Sequence, residues 1–213
     1  MGILRVVFLS SLLVLFTQSS ATTVVDFCVA DLQYPEGPAG YSCKNPANLT
    51  VDDFVFSGLR VAGDTSASVF NVAATFAVDI TFPALNGLGL SMTRLDIGVG
   101  GVVPIHTHRV SELILVIEGE IIAGFIDSNG VPYYKELYPG DIMIFPQSLL
   151  HFQVNVGHKP ALAFVSLNSP NPGFQFTALS MFGNDLPTEI IEKISLLDST
   201  EVKRMKEIFG GTS

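Results

Sequence analysis

Gly101-Val-Val-Pro-Ile-His106-Thr-His108-Arg-Val-Ser-Glu112 and Gly140-Asp-Ile-Met-Ile-Phe-Pro146-Gln-Ser-Leu-Leu-His151-Phe-Gln-Val-Asn155 are the two stretches whose reading decides this chain. In an extended strand successive side chains point to opposite faces, so His106 and His108 share a face and both imidazoles can reach one ion. Glu112, four residues on, supplies a third ligand. His151, in a second alternating segment, supplies a fourth if it points into a barrel. A lone His-x-His in apolar surroundings is more often a hydrogen-bonded pair than a metal site. Here three of the chain's 4 histidines fall at matched inward positions, and without a cation Glu112 would sit beside the apolar run Leu113 to Ile117 at a desolvation cost. His158, in Gly157-His158-Lys159-Pro160, reads as an exposed turn residue and takes no role.

Outward from these stretches, residues 88–178 form short segments rich in Val, Ile, Leu and Phe. They are cut by turn signals at Glu118-Gly119, Asp127-Ser128-Asn129-Gly130, Pro139-Gly140-Asp141, Val156-Gly157-His158 and Asn171-Pro172-Gly173. Turns at such spacing signal an antiparallel sandwich or barrel, and glycine at 119, 130 and 140 supplies positive φ where the chain reverses. An all-β jelly-roll barrel disposes of the exposed edges of so many strands. We expect the barrel core over about 54–180 within a single domain at 22–213. The stretch 22–84 reads as a few strands and a long excursion packed on the barrel. Short α-helices follow over about 187–210: Asp198 is the N-cap of the last, with Glu201 three residues on, and Val202, Met205, Ile208 and Phe209 form its apolar face.

With 213 residues, 48% of them hydrophobic, the chain is long enough to bury one such core. Arg5, the apolar run Val6 to Phe16 and the small residues Ser19-Ser20-Ala21 read as a secretory signal over 1–21, too short to span a bilayer. Removing it takes away one positive charge, Arg5, and moves the net charge from −9 to −10. Neither nucleic acid nor an anionic membrane is an expected partner of so acidic a chain. Cys28 and Cys43 are the only cysteines, and in an oxidising compartment a disulfide is their default state; closing that loop contributes about 3 kcal/mol on the chain-entropy model. Asn48-Leu49-Thr50 is an N-glycosylation sequon in the same region.

The two opening stretches resemble the first and second cupin motifs. With Asp26-Phe27-Cys28-Val29-Ala30-Asp31 and Leu179-Ser-Met-Phe-Gly183, the chain resembles the plant germin-like proteins along nearly all of its mature length. Pro35-Glu36-Gly37-Pro38-Ala39-Gly40-Tyr41-Ser42-Cys43 and His106-Thr107-His108 resemble most the subgroup described as auxin-binding. The resemblance implies Mn2+ on His106, His108, Glu112 and His151, a homo-oligomer built as a hexamer (a trimer of dimers) joined through its C-terminal helices, and an extracellular place in the apoplast or cell wall. Ser148 departs from the second motif, which has glycine there. The oxalate oxidases of the family hold substrate with two asparagines, and Thr93 and Val103 stand at those positions. A valine cannot donate and a threonine hydroxyl is a shorter, single donor, so oxalate oxidation is not expected.

Three imidazoles and one carboxylate without a thiolate suit a six-coordinate ion such as Mn2+ or Fe2+ better than structural zinc, and the resemblance favours manganese. Asn155 and Gln153 share the inward parity of His151, which makes Asn155 a candidate for the pocket; a satisfied core amide is the alternative. Three functions follow: superoxide dismutation at an open metal centre, binding of a small carboxylate such as an auxin-like molecule, for which Phe125, Phe145 and Phe152 either form an indole slot or belong equally well to the core, or a structural defence glycoprotein.

Overall fold

The computed structural model describes residues 25–212; the expected signal segment 1–21 lies outside them. Ten strands follow in order: β1 Val72–Ala77, β2 Ser91–Ile97, β3 Val102–Thr107, β4 Glu112–Glu118, β5 Ile121–Ile126, β6 Pro132–Leu137, β7 Ile142–Phe145, β8 Leu150–Asn155, β9 Ala161–Leu167 and β10 Gln175–Phe176. They pair antiparallel into two five-stranded sheets, β1-β2-β9-β4-β7 and β10-β3-β8-β5-β6. This is the expected jelly roll, in which neighbours within a sheet come from distant parts of the sequence.

The turns explain why the strands stop where they do. Gly119, Gly130 and Gly140 all take positive φ, as their positions between apolar runs required. At Gly119 a side chain is also excluded sterically, because a Cβ there would lie 2.7 Å from the Ala161 backbone. In the β5–β6 hairpin the Asp127 carboxylate accepts from the backbone N–H of Asn129 and of Val131, which closes the turn on itself. Between turns, period-two alternation sends Ile114 and Val116 inward, with Leu113, Leu115 and Ile117 outward. Ile97, Ile121, Phe145 and Val165 meet them in the core between the sheets, each worth about 1.5–3 kcal/mol of buried apolar surface.

The strands begin at Val72, later than residue 54. Residues 46–67 instead hold four short 3-10 turns, because Pro46, Asp52, Asp53, Gly58 and Gly63 interrupt any alternation. This excursion is tied to the barrel by Asp96, which accepts from the Gly63 backbone at 2.9 Å and pairs with the Arg94 guanidinium, itself donating to Leu59 O. Upstream, the Cys28–Cys43 disulfide is formed beside the fully buried Val29 and Ala30.

Three helices end the chain: α1 Thr177–Phe182, α2 Thr188–Ser195 and α3 Ser199–Phe209. The Asp198 side chain accepts from the Glu201 N–H at 2.9 Å, as an N-cap should. Val202 packs with Phe182 and Ile191, flanked by Met205 and Phe209. Ile208 does not join them and is 55% exposed, since it lies about 120° around the helix from Val202. The helix α1 was not anticipated; its sequence is too short to show a helical period. Among the described residues no helix is long and apolar enough to cross a membrane.

Candidate metal centre

The site begins with a fault in a strand. Along β3 and β8, Val103 pairs with Gln153 and His106 with His151, so three steps on one strand match two on the other. Pro104 sits in this bulge, where its missing N–H is not needed by the ladder. The extra residue resets the alternation: Val103 and His106 both point inward while Ile105 turns out, 40% exposed. His108 follows two residues later, just past the end of β3, again buried. Glu112 opens β4 in the opposite sheet, and His151 lies on β8. One atom from each of the four side chains lies within 4.8 Å of the others, so the cluster joins the two sheets as well as two strands.

Backbone carbonyls fix where the imidazole protons are. His106 Nδ1 lies 2.8 Å from Pro104 O, His151 Nδ1 lies 2.8 Å from Leu149 O, and His108 Nδ1 meets Gly173 O. A carbonyl only accepts, so each Nδ1 carries the proton and each Nε2 presents a lone pair to the centre. There the Glu112 Oε2 stands 3.0 Å from His108 Nε2 and 3.4 Å from His151 Nε2. Lone pairs and a carboxylate crowded together in a buried site repel one another unless a cation lies between them. Burial, and then the neighbouring His151, push His106 down to about 4 and keep it neutral. Burial raises the Glu112 carboxyl, and hydrogen bonds and positive charge from His108 and His151 hold it down at about 2; where their Nε2 atoms present lone pairs instead, a cation takes over that role. His151 Nε2 is buried without a hydrogen-bond partner among the described residues. This donor set fits a divalent ion held by His106, His108, Glu112 and His151.

Aromatic rings hold these ligands in place. Phe145 stacks on His151 with centroids 4.7 Å apart, and Phe174 covers His106 at 4.8 Å. The carbonyl of Gly173 reaches His108 from the loop between β9 and β10, a long-range contact that no local motif announces. Ser148, where the motif has glycine, keeps the left-handed turn with φ 64 and donates its N–H to His108 O.

A cavity of about 730 Å3 opens onto the cluster. Its walls are mostly apolar, with Leu95, Val103, Val165, Leu167, Phe174 and Phe176 among them, and besides the cluster its polar lining residues are Asp79, Thr81, Thr93, Gln153 and Asn171. Thr93 and Val103 both line the cavity. Asn155 does not: its amide donates to Ile97 O, Gly98 O and Lys159 O and accepts from the Gly157 N–H, which makes it a core fastener and no part of the pocket. Gln153, with the same parity, takes that place; it is fully buried, and neither amide atom has a partner among the described residues. The slot of Phe125, Phe145 and Phe152 is likewise absent from the lining. Phe125 stacks on Tyr133 and Phe145 backs His151, while the aromatic wall comes from Phe70, Phe76, Phe174, Phe176 and Phe209. Asn48, by contrast, is exposed at the end of a 3-10 turn.

A family model described as cupin matches residues 57–203. The chain is 54% identical over 200 residues to auxin-binding protein ABP19a of Prunus persica, covering 93% of this chain and 95% of that one. It is 52% identical over 211 residues to a germin-like protein of Morus alba, covering 99% of each. Among solved structures it matches an oxalate oxidase with a TM-score of 0.83 at 35% identity, over 87% of this chain and 96% of that chain.

Proposed function

Since the chain belongs to the germin-like cupins and gathers three imidazole lone pairs and a carboxylate at one buried point, we propose that it is a secreted manganese protein that dismutes superoxide in the apoplast or cell wall, with a role in defence. The observation that carries this reading is the convergence of three Nε2 atoms, each fixed by a carbonyl behind it, on a Glu112 carboxylate that stays ionised. A bound Mn2+ supplies one-electron redox chemistry; the four ligands hold its charge and position. The apolar walls keep bulk water from the ligands and leave room for a small molecule to reach them. Thr93 and Val103 offer oxalate too little hydrogen bonding, so oxalate oxidation is not part of the function.

A second reading, binding of a small auxin-like carboxylate, is favoured by the cavity itself, which is far larger than superoxide needs and apolar on most sides. Secretion is supported by the signal-like residues 1–21 and by the disulfide, and a glycan on Asn48 is supported by the exposure of that side chain. The homo-oligomer, a hexamer as a trimer of dimers, would cover outward apolar side chains of α2, its C-cap and β7: Ile194 at 63%, Leu196 at 90% and Ile142 at 62% exposed.

The deciding experiment pairs metal analysis with superoxide dismutation on wild type, His151→Ala and Glu112→Gln. We expect stoichiometric manganese and activity in wild type, and loss of both in His151→Ala. In Glu112→Gln the side chain keeps its volume, so activity should fall with the barrel intact. Full metal occupancy in His151→Ala sinks the site assignment, and a fully loaded wild type without dismutation sinks the enzyme reading.

A further inference from the structure

Arg109 follows the ligand His108 directly, and its charge has no acidic partner. Among the described residues the basic side chains in ion pairs are Lys44 with Asp53, Arg94 with Asp96 and Arg204 with Glu201, beside the imidazole contacts of Glu112. No carboxylate lies within that distance of Arg109. Its Nη2 donates to the backbone and side-chain oxygens of Asn171, both at 3.1 Å, while Glu36 accepts from the Asn171 amide instead. The Nε and Nη1 donors are left without a protein partner among the described residues, and the side chain is exposed.

Arg109 lines a cleft with Thr107, His108, Ser148, Phe174 and Gln175, and His108 and Phe174 also line the cavity over the cluster. Among the described residues no other lysine or arginine lines either space. A Cβ on Gly173 would lie 2.9 Å from Arg109 Nε, and the Gly173 carbonyl accepts from His108 Nδ1. Adding the span of that carbonyl, of the imidazole and of a metal–nitrogen bond puts the guanidinium about 10 Å from the centre.

We propose that Arg109 recruits small monovalent anions to the metal centre and so sets how fast an anion such as superoxide reaches it. This rests on the cation-holding reading of the His106, His108, Glu112 and His151 cluster. The chain carries a net charge of −9, which repels an anion at long range. The large cavity does nothing to reverse this: outside the cluster the one ionisable group in its lining is the carboxyl of Asp79. An unpaired guanidinium with free donors changes the local field beside His108. At about 10 Å one unit charge alters the local concentration of a monovalent anion about two- to threefold at low ionic strength. Salt removes the effect once the Debye length, about 3 Å at 1 M, falls well below that distance.

The test titrates azide, a small monovalent anion, into manganese-loaded wild type, Arg109→Gln, Arg109→Glu and Arg109→Lys at low and at high ionic strength. Binding is read from the Mn2+ electron paramagnetic resonance signal, with metal content and superoxide dismutation measured on the same samples. At low ionic strength we expect azide affinity to fall about two- to threefold in Arg109→Gln and about sixfold in Arg109→Glu, with Arg109→Lys at the wild-type value and all four converging in high salt. Lysine keeps the charge and loses the planar fork that ties Asn171. If Arg109 acted only by positioning that loop, Arg109→Lys would behave as Arg109→Gln and the loss would persist in high salt. That result overturns the proposal, as does an affinity indifferent to the charge at residue 109, or no uptake of azide by fully loaded wild type. Should Arg109→Glu fail to fold, the glutamine and lysine variants carry the comparison. Azide affinity that follows the charge in samples without dismutation sinks the dismutase reading and leaves this one standing. A wild type that takes up no metal overturns both.

Discussion

His106 gives a stability signal that can be separated from metal binding. Its ring is 2% exposed and lies 4.1 Å from the His151 ring; burial, then that neighbour, lower its pKa from 6.5 to about 4. The folded chain therefore keeps the imidazole neutral at pH values where the unfolded chain protonates it. Above pH 6.5 neither state binds the proton and the full stability is present. Between 6.5 and about 4 the unfolded state takes up a proton that the folded state does not, so stability falls as pH falls. At 1.36 kcal/mol per pH step, a displacement of this size corresponds to about 3 kcal/mol. The assay is urea unfolding of chelator-treated protein across that window, for wild type and for His106→Gln, whose amide does not titrate. Acidic groups contribute to both proteins alike, so the difference between the two isolates the histidine. Wild type should lose about 3 kcal/mol relative to the variant from the upper to the lower end of the window. Parallel pH profiles, or a His106 resonance titrating near 6.5 in the folded protein, would show that the ring is not desolvated as its burial implies.

Other expectations are simpler. Ser148→Gly should stabilise the protein by about 0.5–1 kcal/mol, because it relieves a left-handed non-glycine residue with an exposed side chain at some cost in unfolded-chain entropy; a fall in the unfolding midpoint refutes this. Asn155→Leu strands two buried carbonyls and a partly buried one and should cost about 3 kcal/mol while manganese content per folded chain stays at wild-type level. Loss of metal in that variant would return Asn155 to the site. Manganese-loaded protein should release no peroxide from oxalate, and Thr93→Asn combined with Val103→Asn should raise oxalate affinity; substantial peroxide from the wild type contradicts the reading of Thr93 and Val103.

What the sequence made legible is what depends on short spacing. His106, His108 and Glu112 are near neighbours, and His151 announces itself by alternation, so the four could be placed on one interior before any strand was paired. The turn glycines were legible for the same reason. Parity told which face Gln153 and Asn155 share, but not what waits there. Asn155 stands at the end of β8, where the carbonyls of Ile97, Gly98 and Lys159 converge from two connecting turns; Gln153, one repeat inward, faces the opposite sheet. Only the pairing of distant strands separates a fastener from a cavity-lining residue, and pairing leaves no mark on a local pattern. Of the two readings of Phe125, Phe145 and Phe152, slot or core, the structure takes the second: Phe125 stacks on Tyr133 and Phe145 on His151.

The bulge at Pro104 shows the same limit from the other side. Strict alternation from Val103 would have turned His106 outward, and the reading of His106 and His108 as an inward pair holds only because β3 carries one residue more than β8 opposite it. The same irregularity frees the Pro104 carbonyl to accept from His106 Nδ1, so the feature that aims the ring also sets its tautomer. His108, beyond the strand, obtains the equivalent restraint from Gly173, and the loop that carries Gly173 is held in turn by Arg109 donating to Asn171 and by Asn171 donating to Glu36. Glu36 lies inside the disulfide loop closed by Cys28 and Cys43. The excursion before the barrel thus does more than cover a sheet: through Glu36, Asn171 and Gly173 it bears on the one metal-facing imidazole that the strands themselves do not hold.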